Sequence, residues 1–172
     1  MTKVSLEELK KEIPEIFEKV RNDVRRVIGR RRAGLSLGLV ELGINEKGFM
    51  GFIGGMHFYP GTEIVMNKAP LKLLLEQQPY EIVWAYTYHI LLHEYIHSLG
   101  YLREYLCREM TLRITKKVFD EESHPAVILA KKGIGAFFPN LNLIYVPPDR
   151  RPDGIPIEYI YNFDKPSYEH YS

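Results

Sequence analysis

Two histidines and a glutamate interrupt the stretch ILLHEYIHSLG, which is otherwise suited to burial; they are His93, Glu94 and His97. Each would cost about a few kcal/mol if buried without a partner, so something must compensate. His93 and His97 are four residues apart, which on a helix puts them on one face, about 6 Å apart along the axis. Their imidazole nitrogens can then converge on one ion at about 2.0–2.1 Å. Glu94 is turned about 100° from His93. It is badly placed as a ligand but can face a water bound to the ion. The competing reading is a pair of histidines hydrogen-bonded in a core or lying on a surface.

The elements that must carry these residues follow from periodicity. PYEIVWAYTYHILLHEYIHSLG reads as one helix, opened by Pro79 and stopped by Gly100, apolar nearly all round and therefore buried. A second helix is expected from about Leu102 to Phe119, and a short one from Pro125 to near Gly133. Upstream, Ser5 and Glu8 form a capping-box pattern. Leu6, Leu9, Ile13, Phe17, Val20, Val24, Val27 and Ile28 then recur at helical spacing, with Pro14 expected to kink or split that helix. Leu35, Leu37 and Leu39 alternate as a strand, and INEKG reads as a turn. The glycine-rich GFMGFIGGMHFYP reads as a bulged strand or a loop over a cleft, and Ile64–Asn67 as a short strand. Pro70 is expected to open a helix over LKLLLEQQ. From Pro147 the chain is rich in Pro and Tyr and reads as an extended tail.

The chain has 172 residues, 45% apolar and 26% charged, with a formal net charge of +1. That suits one globular domain over residues 1–172, with no global pull toward nucleic acid or membrane. Cys107 is the single cysteine, so no internal disulfide can form and a reducing compartment fits. No signal-peptide pattern and no uncharged span of about 18 residues is present, and a cytoplasmic location is expected.

His93, Glu94 and His97 form the HExxH pattern of zinc metallopeptidases. With Gly100 three residues further on, the region Pro79–Met110 resembles the zincin superfamily. Metzincins carry a third histidine where this chain has Arg103, which cannot bind zinc. The next residue is Glu104. On a straight helix it would lie about 10 Å beyond His97, but a turn at Gly100 would bring it within reach. A glutamate ligand on a second helix is the gluzincin arrangement, and the small size resembles the minigluzincins. The resemblance implies Zn²⁺ held by His93, His97 and Glu104, with Glu109 in reserve. It also implies Glu94 as general base in peptide-bond hydrolysis by a zinc-activated water. The implied fold is zincin-like α/β of the mixed α+β kind: a small twisted mixed sheet, a backing helix and the HExxH helix. Many gluzincins place an acidic residue four positions after the ligand; here Arg108 or Arg113 stands instead.

Other residues remain open. His89 reads as a core histidine or as a support for His93, and His57, His124 and His170 as loop or surface residues. Cys107 reads as core filler. Tyr101, Tyr145, Tyr159, Tyr161 and His124 are all chemically eligible to stabilise an oxyanion. A peptide or protein substrate would add to a sheet edge, either Ile64–Asn67 or Phe49–Tyr59. The tail could cover the cleft and keep it latent, or serve as surface packing. Arg21 to Arg32 holds six arginines against one acid. It reads as a solvated helix face, with phosphate binding as the alternative. Two further readings are a non-catalytic zinc-binding domain acting as an adaptor or structural protein, and a nucleic-acid-associated protein in which HExxH is incidental. No membrane partner is expected.

Overall fold

A computed structural model describes residues 3–43, 50–137, 141–144, 156–161 and 163. Helix α1 spans Leu6–Ile28, with Ser5 and Glu8 closing the expected capping box. Pro14 does not split it. Leu9, Ile13, Ile16, Phe17, Val20 and Val24 continue one buried stripe straight across the proline, so packing outweighs the missing backbone bond.

The strands are short: β1 (Ser36–Val40), β2 (Met50–Ile53), β3 (Gly55–His57), β4 (Glu63–Asn67), β5 (Leu141–Ile144) and β6 (Glu158–Tyr159). Among the described residues they form a mixed four-stranded sheet in the order β3-β4-β1-β6, and a parallel pair of β2 and β5. β1 and β4 run parallel, while β3 and β6 are antiparallel to their neighbours. Period-two alternation sends Leu37, Leu39, Ile64 and Met66 into the main core and Val40, Val65 and Met56 into a small cluster on the other face.

β4 is therefore an interior strand, paired on both sides, so Ile64–Asn67 is not an edge. The edge is β3, within the glycine-rich segment. That segment is two strands rather than one, broken at Gly54. A side chain there would meet Tyr86, Ile90 and Leu143 within 3 Å. The buried Asn67 ends β4 and caps α2 (Lys68–Gln77), so this helix starts two residues before Pro70, which still lies in its first turn.

Helix α3 (Tyr80–Ser98) is buried on every side, packing against α1, β3, α4 (Glu104–Val118) and α5 (Pro125–Lys132). This is the α+β class, with the helices gathered on one sheet face. No described helix is long and apolar enough to cross a membrane.

Of the expected tail, β6 pairs with β1 at the sheet edge opposite β3. Phe163 stacks on Phe17 at 4.0 Å. Phe163 is thereby part of the main core. The rest of the tail, the INEKG turn, Tyr145 and His170 lie outside the described residues.

Candidate metal centre

α3 ends where the chemistry-bearing residues sit. Its last backbone bonds close on Leu99 and Gly100, and Gly100 adopts a φ of 103°, a left-handed conformation that favours glycine. The chain reverses there and α4 begins at Glu104, so the expected turn is present and the glutamate is brought back onto α3. His93 Nε2 lies 2.5 Å from Glu104 Oε1, and His97 Nε2 lies 3.3 Å from Oε2. The two imidazole rings are 4.8 Å apart. His93 and His97 are each 1% exposed. Glu109, the reserve ligand, is exposed and bonds to Tyr105 instead.

His97 Nδ1 lies 2.8 Å from the Tyr101 carbonyl oxygen. A carbonyl only accepts, so Nδ1 carries the proton and neutral His97 presents a lone pair at Nε2. The carboxylate opposite is also acceptor-only. Two lone pairs at this separation need a positive centre between them, either a proton or a metal ion. In its absence the cluster partitions charge. Burial drives His93 toward the neutral form. His97 is also opposed by burial, but the Glu104 contact and the Glu94 and Glu104 charges raise it. Burial works against the Glu104 carboxylate too, yet the two imidazole contacts hold it down to about 2.

Glu94 is different. It is 3% exposed, and burial pushes its carboxyl up to about 8. No described residue gives its carboxylate a hydrogen bond or ion pair. It lies against Gly55 of the edge strand, where an added Cβ would come within 3.4 Å of Glu94 Cγ and 2.7 Å of Ile90. Glycine at that position lets β3 run directly alongside the site.

Cys107, read from sequence as core filler, joins the group. Donor atoms of His93, His97, Glu104 and Cys107 all lie within 4.8 Å of one another, and the four could hold a metal ion. The available signal was its place three residues after Glu104, on the same helical face.

Two arginines of the run bond to the carbonyl end of α3. Arg30 donates to the Leu99 carbonyl at 2.6 Å and its guanidinium sits over the Tyr101 ring. Arg32 donates to the carbonyls of Ser98, Pro60 and Gly61, and its N–H to the Tyr95 hydroxyl. The pair clamps the carbonyl end of α3, where the helix dipole favours cations, to the turn after β3. Arg21 is buried, and only Arg25, Arg26, Arg30 and Arg31 remain exposed.

The remaining expectations resolve individually. His89 is buried with its ring 6.4 Å from His93, and burial lowers it to about 3. His57 faces the helices from β3, its Nδ1 against the Glu63 carbonyl, and burial lowers it to about 4. His124 caps α5 and stacks on Phe119. Tyr159 lies on β6 at the opposite sheet edge, and Tyr161 is 90% exposed.

The chain matches no family model, no curated protein and no solved structure. Its chemistry is therefore read from the site's own atoms.

Proposed function

We propose that this protein is a zinc-dependent metallopeptidase of zincin-like, gluzincin type, with His93, His97 and Glu104 as ligands and Glu94 as general base. Two imidazoles and one carboxylate suit zinc with a position left open for water, whereas calcium and magnesium sites are built from oxygens. Zinc, when bound, would polarise a peptide carbonyl and acidify a water. The Tyr101 backbone carbonyl orients His97 by accepting a hydrogen bond from its Nδ1–H. Glu94 takes a proton at its carboxylate and delivers it to the leaving amine. The β3 edge, bordering Glu94 through Gly55, offers backbone groups to an extended peptide. With its one cysteine buried, the protein suits a reducing, cytoplasmic compartment.

The observation that carries this reading is Glu94. A buried carboxylate beside convergent ligands, with no hydrogen bond or ion pair to it among the described residues, is what a general base requires. Metal analysis of the purified protein beside His93→Ala and Glu94→Gln tests it. Stoichiometric zinc lost in the first variant, and peptide cleavage lost with zinc retained in the second, is the expected pair. Zinc absent from the wild type would end the proposal. A second reading, a non-catalytic zinc domain, is favoured by Cys107, since a fourth protein donor closes a site.

A further inference from the structure

We propose that Cys107 is a fourth donor to the ion held by His93, His97 and Glu104, so that the site rests in a closed state and opens for hydrolysis by releasing the thiol. This rests on the reading of the cluster as a metal centre. Cys107 follows Glu104 by three residues on α4, so both side chains leave the helix on the face that packs on α3. It is fully buried, and its thiol donates to the carbonyl of His93 at 3.2 Å, the backbone of a ligand residue. The four donor atoms span at most 4.8 Å. Tetrahedral ligands at zinc bond lengths lie on the order of 3.5 Å apart, so the cluster needs to contract by only about 1 Å. Rotation of the cysteine away from the His93 carbonyl is a movement of that scale.

In the closed state the sulfur would fill the position a water otherwise takes, its proton released to solvent as the bond to the ion forms; on opening, the sulfur would be reprotonated and that position freed for water. The site would hold its ion tightly and turn over slowly until a substrate displaces the thiol.

The full-length protein loaded with Co²⁺ tests this. A thiolate-to-cobalt charge-transfer band in the near ultraviolet is expected in the wild type. It should vanish in Cys107→Ser and Cys107→Ala while the visible cobalt bands persist. X-ray absorption of the zinc form should show one sulfur at about 2.3 Å. Peptide hydrolysis per bound zinc should rise several-fold in Cys107→Ser. Because the wild type alone reports sulfur ligation, the result stands even if a variant unfolds. Stoichiometric metal with no sulfur neighbour would overturn the role of Cys107 and leave the three-ligand centre intact. Failure of the wild type to bind either metal would overturn both. Sulfur ligation with no gain of hydrolysis in a folded Cys107→Ser protein would overturn the gating while keeping the fourth ligand.

Discussion

Helix α3 carries two buried polar clusters, and they are built on opposite principles. Near its middle, the Tyr88 hydroxyl donates to Asp23 Oδ2 at 2.6 Å, and Lys19 reaches the same carboxylate at 3.1 Å. Asp23 is 5% exposed and fully partnered, and the cluster fastens α1 to α3. One end of the same helix carries Glu94, equally buried and with no hydrogen bond or ion pair among the described residues, beside imidazoles whose lone pairs face a carboxylate. A satisfied cluster holds a fold together; an unsatisfied one is held by the fold for something else. Buried polarity alone therefore does not mark a site. The unmatched hydrogen-bonding capacity does.

The sharpest way to break this contrast is to remove a ligand. His93→Ala should abolish stoichiometric zinc in metal analysis, while Asp23→Ala should leave it intact. Next in size, Glu94→Gln should cut peptide cleavage by about 10²–10⁴-fold with zinc retained and no loss of melting temperature. A fall in stability would mean that Glu94 has a structural partner after all. Asp23→Ala should show the reverse, losing about 1–3 kcal/mol in denaturant titration as the Tyr88 hydroxyl is left unpaired.

The metal-free protein adds a pH test. Glu94 has its carboxyl raised from 4.5 to about 8, so the folded state binds more protons than the unfolded state between those values. Stability should therefore fall as pH rises through that window, and Glu94→Gln should flatten this part of the profile. Glu104, held down to about 2, acts in the other direction: its contribution is present above pH 4.5 and lost as pH falls toward 2. The smallest effect expected is that of Arg32→Ala. Loosening the clamp on Ser98 should weaken zinc binding by about tenfold at most, the low end for groups that orient a ligand. Competition with a chelator would measure it. Arg32→Lys should recover part of the loss, since one ammonium can reach some of those carbonyls.

Local pattern was enough for most of the elements. The capping box at Ser5, the alternation of Leu35, Leu37 and Leu39, and the all-round apolar character of α3 are properties of neighbouring residues, and each element formed where its period required. Of the two effects expected of Pro14, the split does not occur, because a buried stripe of apolar residues spans the backbone defect. The edge strand could not be settled between two segments, because pairing is made between residues far apart in the chain. β4 is covered by β3 on one side and β1 on the other, and no short-range pattern in either segment carries that information.

The site divides in the same way. His93, Glu94 and His97 were legible from a spacing of one helical turn, because a helix converts sequence distance directly into a shared face. Everything contributed from another element depended on packing. Glu104 was favoured over Glu109 only on the condition of a turn at Gly100, and the left-handed backbone there meets it. Cys107 is the core residue its surroundings predict, but its nearness to the imidazoles arises only where α4 lies across α3. The bonds of Arg30 and Arg32 are not legible in the run itself because their acceptors, the carbonyls at the end of α3 and after β3, are dozens of residues away. Short-range geometry is written in the order of residues; the meeting of separate elements is set by which faces bury together, and that is resolved only when the chain folds.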